Sequence, residues 1–147
     1  MVEVAGPEGQ RIIDEFKRFA PWIPGLVKEA KKAAQKNGCV WTIGRRRCNF
    51  IKLPDGSIDR VHKAFNRVGQ GGAADMMKQA LVMAEREGIK VQLAVHDEFD
   101  FSFNDLDQPK RLREIQRTVY PKLSDTIPMK VDLEIGPNWG FLEKVPR

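Results

Sequence analysis

Two adjacent carboxylates, Asp97 and Glu98, stand between two stretches that alternate apolar and polar residues, and of all the side chains in this sequence they are best placed for chemistry. Before them Val91, Leu93 and Val95 alternate with Gln92, Ala94 and His96; after them Phe99, Phe101 and Phe103 alternate with Asp100 and Ser102. That period of two predicts a pair of strands joined at the acids. A tight turn between paired strands normally takes Gly or Asn, which tolerate positive φ. Two like charges side by side in such a turn repel. A divalent cation relieves the repulsion, since hard cations such as Mg²⁺ take carboxylate oxygens. On these residues alone, a solvated acidic turn is the alternative reading.

Helical and extended patterns alternate around this hairpin. Pro7 suits a first helical turn, and Ile12, Ile13, Phe16 and Phe19 follow at helical spacing until Pro21-Trp22-Ile23-Pro24 ends the run. A second helix is predicted over residues 25–36, stopped by Asn37-Gly38, with Lys28, Lys31, Lys32 and Lys36 as its solvated face. A β-hairpin turning near Gly44 and a turn at Leu53-Pro54-Asp55-Gly56 precede a helical pattern over residues 57–87. His62, Asn66 and Gln70 fall at i, i+4 and i+8, so they share a face if the helix continues across Gly69. Glycines weaken a helix, so Gly69, Gly71 and Gly72 imply a bend or the close approach of something bulky. Ala73, Met76, Met77, Ala80, Leu81 and Ala84 form a packing stripe. Beyond the acids, a helix over residues 110–123 turns Leu112, Ile115 and Val119 inward, and a last strand covers residues 129–135. This order predicts an α+β fold, an antiparallel sheet covered by helices.

The 147 residues make one domain at most. A net charge of +5 and a pI near 9.4 permit a nucleic-acid partner through phosphate contacts. Cys39 and Cys48 flank the Gly44 turn; they could face each other across the hairpin, but a reducing cytoplasm favours free thiols. No second Cys or His pair stands near them to make a zinc site. There is neither an apolar run of membrane-spanning length nor a signal-peptide pattern, so a soluble protein with no membrane partner is expected.

Four stretches, in order along the chain, carry a resemblance. Gly38-Cys39-Val40-Trp41-Thr42-Ile43-Gly44-Arg45-Arg46 is similar to a Gly-Tyr-Val-x-Thr-x-x-Gly-Arg-Arg pattern. Asn66-Arg67-Val68-Gly69-Gln70-Gly71-Gly72-Ala73-Ala74-Asp75 is similar to Asn-x-x-x-Gln-Gly-(small)-Ala-Ala-Asp. Val95-His96-Asp97-Glu98 follows an apolar strand, and Glu134-Ile135-Gly136-Pro137-Asn138-Trp139 closes the series. Together they resemble the C-terminal palm segment of the family A DNA polymerases, which include bacterial polymerase I and the T7-like phage replicases. His62 stands where bacterial polymerase I members commonly carry Arg, and Gly-Pro-Asn-Trp also leans to the phage side.

The resemblance implies roles. Asp97 is one of the two main metal-binding aspartates, Glu98 assists beside it, and His96 lies near the primer terminus. Gln70 and Asn66, with His62 one turn earlier, meet the template-primer; acceptors in the minor groove occur at both kinds of base pair, so such contacts test geometry and not sequence. Arg45 and Arg46 hold backbone phosphates. Arg47, Arg60 and Arg67 lack that support and read as surface charge, and Trp139 is expected to pack the last strand against the acidic hairpin. The implied substrates are template-primer DNA and deoxynucleoside triphosphates, and the implied cofactor is Mg²⁺ in a two-metal site. The expected setting is the cytoplasm of a bacterial or phage-infected cell.

Equally informative is what this sequence lacks. It contains no first aspartate motif of the type Asp-Tyr-Ser-Gln-Ile-Glu, no fingers helix with its Arg, Lys and Tyr, and no exonuclease motif. Residues 1–38 then read as helices following the fingers helix, and residues 39–147 as an incomplete palm. With Met1 opening the chain, the expectation is the C-terminal subunit of a split polymerase. Such a subunit is inactive alone, exposes apolar surface, and is completed by an N-terminal partner chain that supplies the first aspartate and the rest of the metal site. The alternatives are a non-catalytic remnant or DNA-binding module and, resting only on the Asp97-Glu98 pair, a metal-dependent nuclease.

Overall fold

The computed structural model describes residues 2–146. Helix α1 (Val2–Phe19) is broken at Gly6, whose φ of 56° and ψ of −144° leave the helical region, so regular helix starts at Pro7 as expected. Ile12, Phe16 and Phe19 of this helix, with Trp22 and Leu26 after it, are exposed. Of the apolar stripe read from the spacing only Ile13 is half-buried. Helix α2 (Ile23–Asn37) takes Pro24 into its first turn, where no N–H is needed. It ends at Gly38 in the left-handed region (φ 66°), whose N–H donates to Ala34 O at 2.9 Å.

Strands β1 (Cys39–Trp41) and β2 (Arg47–Asn49) pair antiparallel, with Cys39 opposite Asn49 and Val40 opposite Cys48. Directly opposite residues share a sheet face, so the two thiols leave on opposite faces and do not meet; both are free. A second turn is closed by the Lys52–Ile58 bridge, with Gly56 at φ 84° and Asp55 accepting from the Ser57 N–H at 2.9 Å and its hydroxyl at 2.6 Å.

Helical structure begins later than residue 57. A 3₁₀ turn (Val61–Lys63) leads into α3 (Ala64–Arg86), which runs unbroken through all three glycines. His62 therefore lies before the α-helix, and of the three residues expected on one helical face only Asn66 and Gln70 share it. Helix α3 passes through both compact units of the chain, Met1–Gly72 and Ala73–Arg147. In the first unit Ala34, Val40, Phe50 and Ala64 are buried together, flanked by Ala30, Ile58 and Val68. In the second, Ala80 and Ala84 meet Ile89, Leu112, Ile115 and Val119, with Met76, Met83, Phe99 and Phe101 packed around them. Ala73, expected in the packing stripe, is exposed, while Met83, absent from that stripe, joins the core.

The second unit holds the hairpin of β3 (Leu93–Val95) and β4 (Glu98–Asp100). The helix expected over residues 110–123 is two, α4 (Asp107–Thr118) and α5 (Pro121–Ser124). Pro121 disfavours helical backbone at Tyr120, which sits extended at φ −127° and ψ 90°. Leu112, Ile115 and Val119 are buried, as their spacing required. The last strand is shorter than expected, β5 (Leu133–Ile135), and gains an antiparallel partner that alternation did not reveal, β6 (Glu143–Val145). Trp139, in the loop between them, is 69% exposed, which removes the packing role expected of it. The architecture is α+β, with all strand pairing antiparallel and distributed over three hairpins. Among the described residues no helix is long and apolar enough to cross a membrane.

An ion pair ties the turn after α3 to α4: the Arg111 guanidinium grips the Glu87 carboxylate through Nε and, at 2.6 Å, through Nη2. Arg111 holds the Glu87 carboxyl below its ordinary value of 4.5, mainly through that hydrogen bond. A carboxyl lowered in the folded state adds stability above its unfolded pKa and loses it as pH falls through the lowered value. Both groups are solvent-accessible, so the effect is small. Glu87→Gln is expected to lower the urea midpoint near neutral pH and to match the parent chain in strong acid. A midpoint difference constant across that pH range would show that the pair contributes nothing through its charge.

Candidate functional site

The carboxylates sit at the tip of the β3–β4 hairpin, where Leu93 pairs with Asp100, Ala94 with Phe99 and Val95 with Glu98. Gln92 extends the ladder: its N–H donates to Asp100 O at 2.9 Å, and its side-chain oxygen accepts from the Ser102 N–H at 3.0 Å and hydroxyl at 3.1 Å. The pairing leaves a two-residue turn, His96-Asp97, and makes Glu98 the first residue of β4 rather than part of the turn. His96 has φ 53° and Asp97 does not have positive φ, the sign pattern of a type II′ turn whose first position usually belongs to Gly. A side chain held in that region is a strained arrangement of the kind found at functional turns.

Register also decides what accompanies the acids. Leu93 and Val95 share a face with Glu98 and Asp100, while Ala94 and Phe99 take the other, and Phe99 packs on the second core. Leu93 and Val95 are 41% and 43% exposed. The acid-bearing face of the hairpin thus has an apolar strand that the described residues leave exposed. His96, Asp97 and Glu98 are themselves exposed. Their oxygens are the hard donors that Mg²⁺ prefers, but among the described residues no three His, Cys, Asp or Glu side chains gather into a metal-holding group. The pair fits part of a metal site and completes none.

The other expected site residues lie in the first unit. Asn66 and Gln70 are one turn apart on α3, both exposed, and Asn66 Nδ2 donates to Gln70 Oε1 at 3.2 Å. That bond takes one of the two acceptor sites of the Gln70 oxygen; the Gln70 amide N–H groups are its donors for an external acceptor. His62 is exposed in the 3₁₀ turn. In the β1–β2 turn the left-handed residue is Arg45 (φ 59°), not Gly44. Arg45 donates its N–H to Thr42 O at 3.0 Å, and the Arg46 N–H donates to Thr42 Oγ1 at 3.1 Å.

Arg46 is more than a surface cation. Its Nη2 donates to the Gly71 carbonyl at 2.9 Å, tying the hairpin to the turn of α3 that follows Gln70. Gly71 admits that approach: a Cβ there would stand 2.6 Å from Thr42 Cγ2 and 3.2 Å from Arg46 Nη2. Of the two reasons for glycine weighed from the sequence, close approach holds at Gly71, and the helix does not break. Arg67, expected as surface charge, instead donates to Asn49 O and lies 4.2 Å above the Phe50 ring, pinning β2 to α3. Sequence spacing carried no signal of this, because both partners lie some eighteen residues away in the chain. Arg60 pairs with its neighbour Asp59 at 3.5 Å.

Comparison with known proteins identifies the family. The model of DNA polymerase family A matches residues 1–141. The chain belongs to DNA polymerase family A. It is 41% identical over 138 residues to a DNA-directed DNA polymerase of Pseudomonas phage M6, covering 94% of this chain and 20% of that protein. It is 31% identical over 147 residues to DNA polymerase I of Rhizobium leguminosarum, covering 89% of this chain and 14% of the relative. With the thermostable DNA polymerase I of Thermus aquaticus it shares 29% over 150 residues, 90% of this chain and 17% of that one. This family A polymerase segment therefore spans a fifth or less of the relatives it matches.

Proposed function

We propose that this chain supplies the C-terminal palm of a phage-type DNA-directed DNA polymerase and works when joined to a separate N-terminal chain carrying the first aspartate and the fingers helix. The observation that carries this reading is the hairpin tip, where two carboxylates are presented beside an apolar strand that the described residues leave exposed at Leu93 and Val95. A metal site short of ligands and an uncovered strand face call for the same thing, a neighbouring palm strand bearing another acid. The exposed stripe of α1 and the start of α2 adds a second face fit for burial against a partner.

In the completed site the primer 3′-hydroxyl attacks the α-phosphorus of a deoxynucleoside triphosphate and pyrophosphate leaves, chemistry that rests on positioning and charge neutralisation. Asp97 would ligate Mg²⁺ with Glu98 beside it; such ions polarise the attacking oxygen and stabilise the leaving one. His96, fixed by the turn next to Asp97, would face the primer terminus. Gln70 and Asn66 would donate to minor-groove and backbone acceptors, with His62 at the entrance to that helix. Arg45, exposed at the β1–β2 turn, would meet backbone phosphates, and Arg46, held on the Gly71 carbonyl, would stand beside it.

The test is primer extension with Mg²⁺ by the complex that co-purifies with a tagged form of this chain from its source. Extension by the complex and none by the isolated chain is the expected result. A complex that binds primed duplex but extends nothing would make this chain a non-catalytic DNA-binding remnant.

A further inference from the structure

The second unit carries a groove of about 270 Å³ between α4 and the segment leading into β5, lined by Arg113, Arg117, Pro128, Met129, Lys130 and Val131. Arg113 and Arg117 are one helical turn apart and share a face of α4. Arg113 Nη1 donates to Pro146 O at 3.2 Å and Arg117 Nη1 pairs with Glu114 at 3.6 Å; with Lys130, the described lining carries three cationic side chains and no acidic one. Pro128, Met129 and Val131 make an apolar lining, and Ile127 beside them is 54% exposed.

A nucleic-acid backbone uses an array of cations and gains nothing from an apolar floor. An acidic peptide carrying one large apolar side chain uses both halves. Its carboxylates meet the planar, multiply donating guanidinium groups, and its apolar residue fills the floor along the aliphatic stems of the arginines. We propose that this groove docks an acidic segment of a partner protein, anchored by one apolar side chain. The inference stands on this groove alone and is independent of the role of Asp97.

The test is fluorescence anisotropy of the full chain with a fluorescein-labelled peptide of about ten residues, aspartates around a central phenylalanine, matching the extended-segment mode of recognition. Joint Arg117→Glu and Lys130→Glu substitution is expected to weaken binding at least about tenfold, since like charges then face the peptide. Exchanging the phenylalanine for serine is expected to weaken it about fivefold or more, as for the loss of a buried anchor. The charge-matched control, Lys52→Glu with Lys78→Glu, is expected to change binding less than about twofold, with melting curves confirming that each variant is folded. Three results would overturn the proposal. One is no binding, another is equal weakening by both double variants, and the third is a peptide no better than a single-stranded oligonucleotide of the same charge and indifferent to its phenylalanine.

Discussion

Asp97→Ala is expected to reduce primer extension by at least about 10³-fold in whatever assembly of this chain extends a primer. A carboxylate that ligates a catalytic divalent cation supports several kcal/mol of transition-state charge stabilisation, and each 1.4 kcal/mol is about tenfold in rate. Asp97→Asn tests the charge specifically, because it keeps the volume and hydrogen-bonding oxygen but removes the anionic ligand. Neither change should disturb folding: Asp97 is exposed in a two-residue turn, where substitutions shift stability by about 0.5 kcal/mol or less. Removing one of two adjacent like charges favours the turn if it favours anything. The decisive readout is therefore the rate at an unchanged melting temperature. Extension within about threefold of the parent would remove Asp97 from the chemistry and leave the segment a structural or DNA-binding part.

Two glycines two residues apart on α3 are expected to respond to alanine with opposite signs. Around Gly69 a new Cβ meets nothing within 4 Å, so Gly69→Ala is expected to stabilise by about 0.5–1 kcal/mol, the ordinary gain for alanine over glycine inside a helix. At Gly71 the same Cβ would stand 2.6 Å from the Thr42 methyl. Thr42 cannot easily yield: it is 6% exposed, and its hydroxyl and backbone are bonded to Arg46. Overpacking of this kind costs about 1–3 kcal/mol, which outweighs the propensity gain, so Gly71→Ala is expected to destabilise. The shift would also pull Arg46 from the Gly71 carbonyl, displacing the hairpin beside Gln70. Urea melts of the two variants decide the matter, and equal midpoints would mean that the hairpin does not press on α3 at Gly71.

Much of this was legible without coordinates, because local rules suffice for it. Leu112, Ile115 and Val119 are buried where a helical period put them, and Gly38 ends its helix because only a residue at ease in the left-handed region fits there. The acids fall at the tip of a hairpin because two alternating runs flank them and pair with each other. Membership of family A was likewise readable from four motifs in order, since residue identity and spacing are properties of the chain itself.

Tertiary structure decided what depends on residues far apart. Periodicity says that α1 has an apolar stripe but not whether anything covers it, and here Ile12, Phe16 and Phe19 are left exposed. Alternation marked Leu93 and Val95 as strand residues, yet only register with β4 puts them on the face of Glu98, uncovered and beside the acids. Arg67 and Arg46 carry the same charge as any surface arginine; the Phe50 ring, the Asn49 carbonyl and the Gly71 carbonyl turn them into the ties between strand and helix. The reason is the same in each case. A side chain's type and its period along one element are local, but its partner is chosen by the packing of segments that the chain brings together only on folding.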